Sequence, residues 1–173
     1  MNRLDEIAEL ISQQKLPPVE LWQPEVCADI DIVILNDGSW KHEGSKIERQ
    51  ALIKLFASIL RKENGDHYLV TPIEKAKITV ENTPFIVVSS ERIDDRWFIS
   101  NNLGDVKELD EACLLNITDE QNPKLIWRSD LEARVSQSVM YQWQIYALDH
   151  GGLVDGKLWL SCGTSRILIA VDE

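Results

Sequence analysis

Apolar and polar positions alternate in a short segment near the start of the chain. Ile30, Ile32 and Ile34 stand at every second position, which is the pattern of a half-buried strand. The segment Asn36-Asp37-Gly38 follows with residues that tolerate a positive φ, as a tight turn requires. We therefore predict a hairpin whose second strand covers residues 39–43.

Two segments in the first half of the chain instead repeat their apolar residues at helical spacing. The first runs from about residue 2 to residue 14 and is stopped by Pro17-Pro18. The second carries an apolar stripe over residues 47–60. We expect this second helix to begin at a Ser45–Glu48 capping box and to end at Gly65.

A third helical pattern covers residues 135–148. Its apolar positions match those of the second helix at a constant offset of 88 residues, as between Ile47 and Val135, which suggests a structural repeat. Patterns of strand type occupy much of the remaining chain, at residues 67–71, 76–80, 85–89, 96–100, 105–109, 125–128, 157–161 and 167–171.

These elements together predict the α+β class. We expect two similar small units, each an antiparallel sheet, or a partly closed barrel, packed with an amphipathic helix. The predicted division is an N-terminal helix and linker over residues 1–24, a first unit over 25–90 and a second over 91–173.

The charge of the chain narrows the classes of partner. Its net charge is −11, from 29 Asp and Glu against 18 Lys and Arg, and no basic cluster offers the surface that binds nucleic acid. The excess of acids also disfavours anionic membranes. No secretion signal and no apolar run of roughly 20 residues occurs. We therefore predict a cytoplasmic protein that binds neither nucleic acid nor a membrane.

The sequence contains no catalytic signature. It has no nucleophile elbow, phosphate-binding loop or dinucleotide fingerprint, so we predict no catalytic residue and no cofactor. The small polar residues 161–165 indicate the turn of a hairpin more strongly than a backbone nest that binds an anion. The spacing of the cysteines fits no disulfide framework, and they are interpreted as small buried hydrophobes: Cys27, Cys113 and Cys162. The spacing of the histidines fits no metal site: His42, His67 and His150.

A few polar or aromatic side chains within apolar surroundings are the candidates for binding a ligand. They are Trp40, His42, Arg49, Thr71, Glu74 and Arg134. Arg49 and Glu74 are interpreted as an ion pair that links the second helix to the sheet. The functional alternative makes Arg49 a planar donor for a carboxylate or a phosphate.

Several short motifs, weak singly and more specific as a set, resemble a bacterial family known as domain of unknown function 1285. They are Gly38-Ser39-Trp40, Gly44-Ser45-Lys46-Ile47, Arg49, Leu55-Phe56, 59–63, Tyr68-Leu69-Val70-Thr71-Pro72, Glu74, Pro84-Phe85 and Leu131-Glu132-Ala133-Arg134. The resemblance covers nearly the whole chain. It implies two similar α+β parts in an unusual arrangement, with a suggested role in signalling or ligand binding.

The functional hypothesis is a non-enzymatic module that binds a small ligand or a protein in a cleft between its halves, with a signalling or regulatory role. The alternative is a hydrolase-like enzyme whose site is assembled around His42, Arg49 and Glu74, with Glu43 also in reach. A third hypothesis is a structural domain with a large exposed apolar patch for a partner.

Overall fold

The chain folds as two compact units. The structure, a computed structural model, describes residues 2–172 except the side chain of Leu115. One unit covers residues 15–84, and the other combines the N-terminal helix with the chain from Phe85 onward. The boundary therefore falls after Pro84, where a boundary after residue 90 was predicted, because the strand that begins at Phe85 pairs only with strands of the second unit. The α+β class is confirmed.

The first unit contains one mixed sheet and one α-helix. After a short 3₁₀ helix at Val19–Leu21, its elements are β1 (Val26–Ile34), β2 (Trp40–His42), β3 (Ser45–Lys46), α2 (Gln50–Ser58), β4 (Leu60–Glu63), β5 (Asp66–Val70) and β6 (Glu74–Val80). The strand order is β3-β2-β1-β6-β5-β4. All neighbours are antiparallel except β1 and β6, which run parallel from Val26–Glu74 to Ile34–Val80. The sheet is thus two three-stranded meanders joined by one parallel pair.

The second unit begins with α1 (Arg3–Gln13) and continues after the first unit. Its elements are β7 (Phe85–Ile93), β8 (Arg96–Asn101), β9 (Val106–Glu108), a 3₁₀ helix at Glu111–Cys113, β10 (Leu114–Asn116), β11 (Lys124–Arg128), β12 (Leu131–Val135), α3 (Gln137–Asp149), β13 (Leu153–Val154), β14 (Lys157–Cys162) and β15 (Ser165–Val171). Strands β7 to β12 form one sheet in the order β10-β11-β12-β7-β8-β9, and β13-β14-β15 form a second.

The two six-stranded sheets repeat one topology. In each, the first strand runs parallel to the sixth, and the second and third strands lie on one side while the fifth and fourth lie on the other. β7 starts 59 residues after β1, so the predicted offset of 88 residues is wrong. The helices matched by that offset are not equivalent, since α2 lies between the third and fourth strands and α3 follows the sixth. In the second repeat the 3₁₀ helix takes the place of α2.

Helix α1 packs on the second sheet although it comes first in sequence. The side chain of Asn2 accepts a hydrogen bond from the backbone N–H of Asp5, whose carboxylate accepts from the N–H of Asn2, so a capping box starts the helix. Ile7 is buried against Phe98 and Val106. The side chain of Gln14 donates to the carbonyl of Val106 and accepts from its N–H, which fixes the end of the helix to β9.

Helix α2 is shorter than the sequence pattern predicted. It starts after Arg49 and ends at Ser58, and Ser45 lies in β3, so the predicted capping box is wrong. The apolar residues Ile59 and Leu60 continue the helical period but lead into β4. Gly65, with φ of 87°, forms the turn between β4 and β5 and does not end the helix.

Candidate functional site

A cavity of about 490 Å³ lies between α3 and the β7–β8 hairpin of the second unit. We call it the α3–β8 pocket. Its walls are mainly aromatic and aliphatic, with a few polar groups at the rim, and its lining residues are Arg92, Trp97, Tyr141, Gln142, Ile145, Tyr146, Asp149 and His150. The pocket is shallow and open to solvent, but its mixture of apolar walls and a few polar groups is typical of sites that bind small organic molecules.

Helix α3 forms the pocket because it carries apolar residues on two faces. Val139, Trp143 and Ala147 are buried on one face, which packs on the sheets. Tyr141, Ile145 and Leu148 stand on the opposite face and are 66%, 42% and 51% exposed. Asp149 is the one charged residue between Gln137 and Asp149, although 27% of the whole chain is charged. Such depletion of charge is typical of surfaces that bind partners or ligands.

The aromatic wall of the pocket is held rigidly. The ring of Tyr146 meets the edge of Trp97 at 5.2 Å between centroids and stacks on His150 at 3.9 Å. The guanidinium of Arg92 lies 4.8 Å from the Tyr146 centroid and pairs with Asp95. The indole N–H of Trp97 donates to the carbonyl of Ser161 at 3.1 Å. The wall is therefore preorganised, which lowers the entropic cost of binding.

The polar groups beside the wall position the helix. Trp143 donates to the hydroxyl of Ser90 at 2.9 Å, and the side-chain amide of Gln142 donates to the Ser90 carbonyl at 3.1 Å. The Nδ1 atom of His150 lies 2.8 Å from the carbonyl of Tyr146, at the end of α3. The imidazole is thus engaged with backbone and a ring, and no nucleophile stands beside it among the residues that line the pocket. These contacts hold α3 against β7 and fix the ring of His150 at the rim of the pocket.

Two further cavities border the same unit. One, of about 560 Å³, lies on the other side of Tyr141, between α3 and the 117–123 loop. The carboxylate of Asp119 faces it but accepts hydrogen bonds from the backbone of Gln121 and Asn122, which shapes that loop. The other, of about 530 Å³, adjoins the β14–β15 hairpin. Neither has the aromatic wall of the α3–β8 pocket.

Two of the three cysteines lie in surroundings that disfavour the thiolate. Burial raises the pKa of the thiols of Cys113 and Cys162, which therefore stay protonated near neutral pH. The Cys162 thiol donates to the carbonyl of Leu109 at 3.2 Å. The interpretation as buried hydrophobes fits Cys113, but Cys162 is half-buried and Cys27 is exposed. Gly163, with φ of 61°, occupies the first turn position between β14 and β15, so the predicted hairpin at 161–165 is confirmed.

The predicted ligand-binding residues of the first unit do not form a common site. In the strand register, His42 stands opposite Ile32 of β1 and Glu74 stands opposite Val26 of β1. Ile32 and Val26 are six residues apart on one strand, which is on the order of 20 Å. His42 and Glu74 are therefore far apart, whereas Glu43 is next to His42 in the chain, and the hydrolase alternative stays a prediction. Arg49 is exposed before α2, and within residues 2–172 no ion pair joins it to Glu74. The predicted structural ion pair is thus not formed.

The other candidates have structural surroundings. Trp40 is 0% exposed and stacks on Phe56 at 6.2 Å, so it belongs to the core and offers no surface to a ligand. The hydroxyl of Thr71 accepts from the backbone N–H of Glu74 at 3.1 Å and closes the turn before β6. Arg134 lies half-buried in β12. The predicted cleft between the two halves stays a prediction.

The buried arginine of the first unit is Arg61, which the sequence did not single out. It is 8% exposed, and it donates to the backbone carbonyls of Val19 and Trp22 at 2.8 and 2.7 Å. It also pairs with Glu63, which pairs with Lys75 at 2.5 Å. The hydrogen bond from Lys75, followed by that from Arg61, lowers the pKa of Glu63 below 4.5. This network fixes the linker to β4.

Among residues 2–172, no group of three or more His, Cys, Asp or Glu side chains is placed to hold a metal ion. The helices of the described chain are all too short or too polar to cross a membrane.

Comparison with known proteins places the chain in a family. The profile described as domain of unknown function (DUF1285), N-terminal domain, matches residues 17–83, nearly the whole first unit. No curated protein matches the chain. The crystal structure of a DUF1285 family protein from Silicibacter pomeroyi DSS-3 is similar over 99% of this chain and 96% of its own, with 30% identity and a TM-score of 0.77. A DUF1285 family protein from Shewanella baltica OS155 is similar over 64% of this chain and 87% of its own, with 26% identity and a TM-score of 0.56. The chain therefore belongs to the DUF1285 family.

Proposed function

We propose that this protein is a non-catalytic binding module that takes a small, mainly apolar or aromatic molecule in the α3–β8 pocket. The observation that carries the proposal is the aromatic surface of Tyr146 and His150, supported from behind by the buried Trp97, beside a cavity of about 490 Å³. Binding in the cytoplasm would serve a regulatory or signalling role, since the pocket lacks the groups for a reaction.

The charges at the rim define the ligand class further. Arg92 is neutralised by Asp95, whereas the Asp149 carboxylate lines the pocket and ends α3. A ligand with an aromatic or aliphatic body and one amine would stack on the wall and place its cation near Asp149. Rings of this kind also attract cations through their faces.

Ligand-observed NMR with tryptamine, tyramine and phenethylamine would test the proposal, with indole acetate, hydroxyphenylacetate and phenylacetate as charge-reversed counterparts. We expect saturation transfer to the amines. Ile145→Arg, which puts a long cation into the pocket, should abolish the signal. Leu55→Arg is the matched control, because Leu55 is likewise an exposed aliphatic residue on a helix but lies outside the pocket. No transfer to any of the six probes, or equal loss in both variants, would contradict the proposal.

A further inference from the structure

The first half of β1 has an open edge. Along one side, residues Val26 to Asp29 pair with β6. On the other side, β2 pairs with β1 at Ile32–Ile34, and the N–H of Glu43 donates to the carbonyl of Asp31 at 2.9 Å. Within the described chain, no strand lies on this side of the residues of β1 before Asp31. Val26 is 54% exposed, and Cys27, Ala28 and Asp29 are exposed on both faces of the strand. A row of backbone N–H and C=O groups is thus available for pairing.

The second repeat shows how such an edge is closed when it is not used. Ile86, the second residue of β7, corresponds to Cys27, the second residue of β1. The N–H of Ile86 donates to the side chain of Asn102 at 3.0 Å, and its carbonyl accepts from the N–H of Asn102 at 2.9 Å. Among the described residues, none forms the equivalent pair of hydrogen bonds with the backbone of Cys27. The open edge is therefore specific to the first repeat.

The charges around the open edge define what fits it. Glu25 and Asp29 lie along it and Asp31 lies at its end, and within the described chain none of the three forms an ion pair. Lys77, which stands opposite Asp29 on β6, pairs with Asp66 at 3.2 Å, and Asp29 contributes a weaker attraction that helps to raise the pKa of Lys77. Three acids next to an unpaired strand edge favour basic residues on an added strand.

Charge also argues against a second copy of the chain on this edge. In an antiparallel pair of two β1 edges centred on Ala28, Glu25 of each copy would stand opposite Asp31 of the other. Like charges directly opposite each other destabilise a strand pair. The net charge of −11 adds a general repulsion between copies.

We infer that the edge of β1 at Val26–Ile30 binds an extended basic peptide segment of a partner protein, which adds a strand to the first sheet. Backbone hydrogen bonds supply the affinity, as in other proteins that recognise peptides by strand addition. Lysine or arginine side chains face Asp29 and reach Asp31 at the end of the edge, and apolar side chains lie beside Val26 and Ala28. This inference is independent of the α3–β8 pocket.

Fluorescence anisotropy of the full chain with a labelled ten-residue peptide that alternates lysine with valine and threonine tests the inference. We expect saturable binding that weakens as salt is added. The double variant Asp29→Lys/Asp31→Lys should weaken it about tenfold or more, because like charges then face each other. Glu48→Lys, which reverses the charge of one exposed acid outside β1, should leave it unchanged.

Two further measurements separate strand addition from simple charge attraction. The same peptide N-methylated at alternate residues keeps its charge but cannot complete the ladder, and it should not bind. Hydrogen exchange at Val26–Ile30 should slow when the unmethylated peptide is added. Equal binding of the methylated peptide, equal loss in the Glu48→Lys control, no binding at all, or a dimer that forms through β1 would each overturn the inference.

Discussion

Two adjacent glycines, Gly151 and Gly152, lie between α3 and β13, and substitution of each by alanine should have a different effect on stability. A Cβ at Gly152 would lie 2.2 Å from the carbonyl oxygen of Trp159 and 2.8 Å from that of Ala147. Gly152 also donates to Ala147 at 2.7 Å and accepts from the N–H of Trp159 at 2.9 Å. At Gly151 a Cβ would meet nothing within 4 Å, but φ is +70°.

The expected cost follows from these contacts. Gly152→Ala must separate backbone atoms by about 1 Å, which disrupts two hydrogen bonds of about 1 kcal/mol each and adds about 1–3 kcal/mol of overpacking. We therefore expect a loss of about 3–5 kcal/mol in the free energy of unfolding of the second unit. Gly151→Ala should cost only about 1 kcal/mol, for a side chain in the left-handed region.

Urea unfolding followed by circular dichroism and tryptophan fluorescence would measure both variants. By thermal unfolding, Gly151→Ala should lower the Tm by about 2–4 °C and Gly152→Ala by about 6–20 °C. Because Gly152 fixes the end of α3, its substitution should also weaken ligand binding in the α3–β8 pocket. Equal destabilisation by the two variants would refute the steric argument.

Three further predictions concern the first unit. Arg61→Ala should lower its free energy of unfolding by about 3 kcal/mol, because it breaks a buried ion pair and leaves two linker carbonyls unbonded; urea unfolding checks this, and a loss under 1 kcal/mol would contradict it. Because the folded pKa of Glu63 is lowered, its contribution to stability is present above about pH 4.5 and lost as the pH falls through the folded value; Glu63→Gln should therefore flatten the acid side of the stability profile, and an unchanged slope would count against the network. Trp40→Phe removes a buried indole N–H that has no hydrogen-bond partner in the described chain. The free energy of unfolding measured in urea should therefore change by under about 1 kcal/mol.

The strands and turns were largely predictable because their signals are local. Asn36-Asp37-Gly38 forms the expected turn, with Gly38 at φ of 87°. The end of α2 was not predictable from periodicity, since Ile59 and Leu60 continue the helical pattern into a strand whose pairing with β5 decides the outcome. The parallel pairing of β1 with β6 depends on tertiary contacts that no local sequence pattern predicts.

The candidate site was less predictable than the fold. Arg92 and Trp97 reach Tyr146 only through the packing of α3 on β7, across about 50 residues of sequence. The partners of Arg61 are backbone carbonyls 42 and 39 residues away, so no residue type marks them. One signal was present: the segment from Gln137 to Leu148 has no charged residue, which is unusual in so acidic a chain.

The pairing of α1 with β9 has a consequence for synthesis on the ribosome. The hydrogen bonds of Gln14 to Val106 can form only after the ribosome has added the 92 residues that separate them. At about 5–20 residues per second, that delay is roughly 5–20 s. Residues 15–84 are complete earlier and can fold while α1 is still without its sheet. During this interval Ile7 and its neighbours on α1 are an exposed apolar face, and a chaperone that recognises nascent chains would meet them first.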